Sequence, residues 1–218
     1  MALNSETLLA RADRLARRGQ RDEARAAYLE VLNLVPDHFG ALNNLGALLH
    51  DMNYRSAART AYARAVACHP QNPVGHVNLA NALRGDDDLA AARDHAEMAL
   101  HLCPEHPGAH QAMAGILFDL GDFAAAARHR DIGYKDHDAM HLPYRGKGKP
   151  VSLLMLVSAV GGNVPIRHLI DDTVFETTVI YADYRTRTLP RHDLVFNAIG
   201  DADLVAPAME AAAKLLAK

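Results

Sequence analysis

Cysteine is scarce in this chain: Cys68 and Cys103 are the only two. Two thiols give neither a disulfide framework nor a zinc-ligand spacing, so each is expected to pack as a small apolar residue in a reducing, cytoplasmic setting. Net charge is low as well, −3 with a pI near 6.5. No global field therefore draws the chain to nucleic acid or to an anionic membrane. Long apolar runs are missing; the longest, Val151 to Val160, is too short to span a bilayer and reads as a buried strand. The first twenty residues, MALNSETLLARADRLARRGQ, lack the apolar stretch and cleavage site of a secretory signal and read as an ordinary charged helix. Lysine does not occur before Lys135. What remains is a chain of 218 residues, 50% hydrophobic, enough for one large domain or two modest ones.

Internal periodicity dominates the first two thirds. Ala24, Ala58, Ala92 and Ala126 stand 34 residues apart; Leu15, Leu49, Leu83 and Leu117 keep the same interval, and so do Pro36, Pro70 and Pro104. Taking proline as the thirty-second position defines units 5–38, 39–72, 73–106 and 107–140. In the second, Leu42, Leu45 and Leu49 form the stripe of an amphipathic helix. Gly46 and its counterparts Ala12, Ala80 and Ala114 are small, as close helix contact requires, and a second helix offers Ala58, Tyr62 and Ala65 to the first. The helix break falls at Met52-Asn53-Tyr54, or at Gly121-Asp122 in the fourth unit, where glycine can take the left-handed conformation. The fourth unit departs from the pattern, with Arg130 and Gly133 in place of apolar residues and no closing proline.

A 34-residue helix–turn–helix period resembles the tetratricopeptide repeat family over 4 × 34 = 136 residues, most clearly in Leu42–Leu49 (LNNLGALL) and Val77–Leu83 (VNLANAL). The resemblance implies a helical solenoid whose concave face, built from the first helix of each unit, binds a protein or peptide. That face would present Asn43, Asn44, Ala47, His50, Val77, Asn78, Asn81, Arg84, Gln111, Phe118 and Asp119. Asn44 and Asn78 lie 34 apart and resemble two rungs of an asparagine ladder on a peptide backbone; they serve equally well as hydrogen bonds between repeats. The family's basic clamp for a terminal carboxylate is not expected, since the groove has Arg17 and Arg84 but no lysine.

Histidine is abundant, thirteen in all. His76 and His110 share one repeat position and read as replacements for a bulky aromatic. His137 and His141 are four apart, but His-Asp-Ala-Met-His lacks the glutamate of a metalloprotease helix, and no metal is assigned. Residues 141–150, HLPYRGKGKP, have the composition of a linker.

From Val151 the period changes. Three apolar strands are expected near 151–160, 175–184 and 192–203, with a short helix in Pro165–Asp172 and a final helix over 204–216. Continuous apolar strands alternating with helices argue for a small α/β unit, 151–218, with a three-strand parallel Rossmann-like sheet. Parallel sheets bind ligands at the carboxyl ends of their strands, an edge that would hold Gly161, Gly162, Asn163, Asn197, Gly200 and Asp201. Asp193–Gly200 (DLVFNAIG) resembles a strand of the small Rossmann-like domain preceding the catalytic core of ATP-grasp ligases. That core, with its phosphate-binding lysines and magnesium-binding carboxylates, does not follow here, so the chain alone is not expected to hydrolyse ATP. The unit is also below the size at which small domains hold themselves together, roughly 70–80 residues. Packing on the repeats, truncation, or pairing of sheet edges in a homo-dimer would each compensate.

The expected fold is mainly α, and the expected role is a cytoplasmic peptide-binding scaffold, with alanine- and arginine-rich composition pointing to a bacterial source. The alternatives are the substrate-recruiting portion of an ATP-grasp-type ligase and a homo-oligomer assembly module. No catalytic residue and no cofactor is assigned.

Overall fold

The computed structural model describes residues 4–161, 163–164, 170–185, 188–200 and 202–217. Two compact units divide the chain, Met1–His129 and Arg130–Lys218.

The first unit is a stack of helix pairs: α1 (Ser5–Arg17) with α2 (Arg21–Leu34), α3 (Phe39–Asp51) with α4 (Arg55–Cys68), α5 (Pro73–Gly85) with α6 (Leu89–Leu102), and α7 (Pro107–Asp119) with α8 (Phe123–Tyr134). The alanine column explains the pairing, because Ala24, Ala58, Ala92 and Ala126 are all fully buried, and a methyl group is the most these close contacts admit. At Gly46 even that is too much: an added Cβ would stand 2.6 Å from the Tyr62 ring. Each first helix ends on a residue with left-handed backbone, Gly19, Asn53, Asp87 and Gly121, again 34 apart, with φ of 73, 64, 64 and 83°. The next N–H reaches back to the leucine column in every unit, Gln20 to Leu15, Tyr54 to Leu49, Asp88 to Leu83 and Asp122 to Leu117. A fourth column caps the starts. Asn4, His38, Asn72 and His106 each accept a backbone N–H of the following turn through the side chain.

The pattern weakens where the sequence does. Helix α8 has 12 residues against 14 for α2, α4 and α6, and the boundary between the units falls inside it.

The second unit holds a four-stranded sheet: β1 (Ala139–Leu142), β2 (Val151–Val157), β3 (Phe175–Tyr181) and β4 (Leu194–Asn197), in the order β1-β3-β2-β4. This corrects the expectation of a purely parallel, three-stranded sheet. β2 does pair in parallel with both β3 and β4, but β1 adds an antiparallel edge, with Ala139 opposite Ile180 and Leu142 opposite Thr177. β1 includes His141 and Leu142, whose surroundings have a linker's composition. Its four residues are mostly exposed, so no apolar pattern announces them. Side chains of β2 alternate between two cores. Leu154 and Leu156 pack with Ile180 and Ile199 under Val205, Ala208 and Ala212 of α9 (Ala202–Leu216). Met155 and Val157 face the other way, with Val179 and Ala198. Most of the short helix expected in Pro165–Asp172 lies outside the described residues.

Candidate functional site

The first-helix face of the array carries a continuous chain of polar contacts. Asn78 Nδ2 donates to Asn43 Oδ1 at 2.6 Å, Asn43 Nδ2 to Asn44 Oδ1 at 3.3 Å, and Asn44 Nδ2 to Asp13 Oδ1 at 3.0 Å. The Tyr28 hydroxyl closes the chain on the same Asp13 oxygen at 2.7 Å. Three repeats are linked in this way, and the asparagines spend donor capacity on one another and on Asp13. Although Asn44 and Asn78 are repeat equivalents, they reach non-equivalent partners. Burial, and then the hydrogen bond to Asp13, hold the Tyr28 phenol well above its ordinary range. Asp13 was not legible as a member, because its repeat equivalents are Ala47, Asn81 and Gly115, a column with no shared chemistry.

The third and fourth repeats are joined by Arg84. Its Nε and Nη2 donate to Asp119 at 2.5 and 3.2 Å, a two-point contact. The guanidinium lies over Gly115, where a Cβ would sit 2.5 Å from Nη1, so the missing side chain makes room for it. Ala47, His50 and Asn81 are exposed, whereas Gln111 and Phe118 are half-buried. Phe118 meets the exposed Phe123 ring edge-on at 5.2 Å. Val77, expected on the groove floor, is buried with Ala99, Ala109 and Ala112.

An open cavity of about 910 Å³ lies away from this row, lined by Leu49, Tyr54 and Arg55 with Arg25, Arg59 and Asp86. Two of its three guanidinium groups are already paired, Arg59 with Asp86 at 2.6 Å and Arg25 with Asp22 at 3.1 Å.

At the carboxyl edge of the sheet, the expected residues tie the loops together. Asn163 accepts the Ser158 N–H at 2.7 Å and donates to the Ser158 carbonyl at 2.8 Å. Asn197 accepts the Ile199 N–H at 3.1 Å, and Val164 N–H reaches the Ala198 carbonyl at 2.7 Å. Gly161 has φ of 123°, a backbone state that favours glycine, and Gly200 is exposed. Gly162 and Asp201 lie outside the described residues. Asp183, at the end of β3, is a member that sequence reading passed over. Its carboxylate accepts the Ser158 hydroxyl at 2.8 Å and the Ala159 N–H at 3.1 Å, binding the β2 and β3 loops. Beside it Tyr184 stacks on Tyr134 with centroids 5.5 Å apart, and Tyr181 lies tilted against Tyr134 at 4.5 Å. Burial raises all three phenols, that of Tyr184 to about 12.

Among the described residues no cluster of three or more His, Cys, Asp or Glu side chains could hold a metal. His137 and His141 do not share a helical turn: His141 lies in β1 and meets the Thr178 hydroxyl at 3.0 Å, while His137 bonds the Lys135 carbonyl. Among the same residues, no helix is long and apolar enough to cross a membrane.

No family model matches the chain, and neither does any curated protein. Solved structures do. The chain resembles MamA 41-end from Desulfovibrio magneticus RS-1, at 28% identity and a TM-score of 0.52, over 58% of this chain and 71% of that one. A MamA RS-1 ArsTM double mutant gives 27% identity and a TM-score of 0.53, covering 59% and 72%. Pseudomonas aeruginosa PilF, 20% identical with a TM-score of 0.55 and 60% of each chain covered, shares the fold. With four helix pairs in a 34-residue register, these likenesses make the first unit a tetratricopeptide-like helical repeat, followed by a small mixed-sheet unit.

Proposed function

We propose that the helical array is a protein-interaction module that holds a segment of a partner protein along its first-helix face. The observation that carries this reading is the contrast between the two sides of the first helices. One side is buried through Leu45, Leu49, Leu79 and Leu83, while the other is a polar row running from Asp13 to Asp119 with Ala47, His50 and Asn81 open to solvent. Stacked first helices offer such a row as a long surface, and energy in such interfaces concentrates in a few anchors. Because Asn43, Asn44 and Asn78 bond between repeats, the contacts to a partner fall to His50, Asn81 and Phe118.

Peptides selected from a random displayed library against the full chain test this. His50→Ala with Asn81→Ala is expected to weaken the selected peptides about tenfold, the equivalent of one good hydrogen bond or anchor, with the helical signal unchanged. Equal affinity for the double variant would remove the first-helix face from the proposal.

A second reading, assembly of identical chains, is favoured by β4. It lies at the sheet edge with Leu194, Val195 and Phe196 exposed by 51, 37 and 42%. An apolar, unpaired edge strand is a template for another strand. On this reading the purified chain forms a dimer by light scattering, and Phe196→Lys returns it to a monomer. A wild-type monomer at high concentration would end it. The ATP-grasp-type reading draws on the resemblance of residues 151–218, carried by Asp193–Gly200 and the order of the elements.

A further inference from the structure

Repeats three and four each contain a pair of facing histidines. His76 on α5 meets His95 on α6 with Nδ1 to Nδ1 at 3.0 Å; 34 residues on, His110 on α7 meets His129 on α8 at 2.9 Å. The rings lie 5.2 and 5.0 Å apart at tilts of 41 and 37°. Each first histidine is buried, and its Nε2 is held against a backbone carbonyl, that of Pro70 at 3.0 Å and that of Pro104 at 2.8 Å. The equivalent positions in repeats one and two are apolar and buried, Leu8 with Ala27 and Leu42 with Ala61.

Those contacts assign the protons. A carbonyl only accepts, so Nε2 of His76 and of His110 carries hydrogen. In a neutral ring Nδ1 is then a lone pair, and the N–H that fills the short contact belongs to Nδ1 of His95 or His129. One added proton finds a place on the remaining ring nitrogen, Nε2, of His95 or His129. A second must sit on Nδ1 of His76 or His110, setting two N–H groups against each other at 3 Å inside the helix pair.

From this geometry we infer that the two histidine pairs are acid-sensitive locks that confine pH-dependent opening to the third and fourth repeats of the array. The charged and titratable groups acting on His95 are His76 from α5 and Asp94 from its own helix; those acting on His129 are His110 from α7 and Arg128 from its own helix. Burial first, and then the facing histidine, lowers the pKa of His95 and of His129. Unfolded histidines titrate near pH 6.5. The unfolded chain therefore binds more protons below that value, and stability is fully present above it and lost as pH falls. Each pair takes up at least one proton fewer folded than unfolded. A full deficit of one proton costs a factor of ten in the folding constant per pH unit, and the loss per pair sums to about thirtyfold between pH 7.5 and 5.0. Leu8, Ala27, Leu42 and Ala61 do not titrate, so the first two repeats lack this device. The lock requires no ligand and stands independently of the binding proposed for the groove.

Native-state hydrogen exchange on the full chain at pH 7.5 and 5.0, corrected for intrinsic rates, tests the inference. Protection in α5–α8 is expected to fall about thirtyfold or more relative to α1–α4. The variant His76→Leu, His95→Ala, His110→Leu, His129→Ala, which installs the residues of repeats one and two, is expected to abolish the difference. Equal loss in both halves, or acid sensitivity that survives the four substitutions, overturns the proposal. Should that variant not fold, imidazole nitrogen NMR on the wild-type chain decides. His76 and His110 are expected to show the Nε2–H tautomer, with Nδ1 accepting from the facing ring; an Nδ1–H tautomer on either ring in the folded chain would sink the lock.

Discussion

Asn53 and Asp87 adopt backbone angles that cost a residue with a side chain about 1 kcal/mol, at the position where the first and fourth repeats use glycine. Asparagine and aspartate tolerate this region better than other residues, and the leucine carbonyl waiting for the next N–H compensates for the strain. Asp87→Gly is therefore expected to raise the stability of the array by about 0.5–1 kcal/mol, and Gly121→Ala to lower it by about 1 kcal/mol. The second figure is a pure backbone effect, because a Cβ at Gly121 meets nothing within 4 Å. Urea denaturation of the two variants checks both signs; a stabilised Gly121→Ala would contradict the left-handed cap. Gly121 of this column was read as a left-handed cap from the chain itself, on a glycine signal that Gly19 shares. Asn53 and Asp87 are ordinary polar loop residues until the backbone is seen.

Helix pairs are joined along the stack by side chains rather than by backbone. A helix satisfies its own N–H and C=O groups, so neighbouring repeats bond only through what protrudes. Among these joints are Asn78 to Asn43, Asn44 to Asp13, Arg59 to Asp86 and Arg84 to Asp119. Each such bond contributes about 1 kcal/mol net, with more lost when one partner is left unsatisfied. A double-mutant cycle on Asn43→Ala and Asn78→Ala is expected to return a coupling of about 0.5–1.5 kcal/mol, read from denaturation midpoints. Strict additivity would mean that the 2.6 Å contact does not join the repeats. Residue types at these positions were legible, but the choice between a peptide and a neighbouring repeat as their partner was not. That choice depends on distances of a few ångström between helices far apart in sequence. The same limit hid Asp183, whose role exists only because two parallel strands end side by side.

For the molecule as a whole, titratable groups bound the stable pH range from both sides. The histidine pairs set the acid limit. On the alkaline side, burial raises the phenols of Tyr28, Tyr62, Tyr134, Tyr181 and Tyr184, with Tyr62 and Tyr184 pushed up to about 12. A raised folded pKa means that the folded chain holds protons the unfolded chain releases near pH 10. This stability is fully present below pH 10 and is lost as pH rises through the folded values. Absorbance at 295 nm should therefore show these five of the seven tyrosines ionising late, together with the loss of helical circular dichroism. Independent ionisation near pH 10 with intact helices would refute the burial of these phenols.

The sequence by itself determined the repeat. A 34-residue spacing of alanine, leucine and proline leaves few ways to bury every apolar stripe, and stacked helix pairs satisfy it locally. Three of the four described strands of the second unit, β2, β3 and β4, were legible as apolar runs. Tertiary structure alone decided how the polar residues are spent. Whether Asn78 meets a partner or Asn43, whether His76 stands in for an aromatic ring or shares a hydrogen bond with His95, and whether β1 joins the sheet all depend on contacts between segments distant in the chain. Hydrophobic burial is non-directional and leaves a periodic trace; a hydrogen bond depends on a particular distance and angle, which no spacing of residue types records.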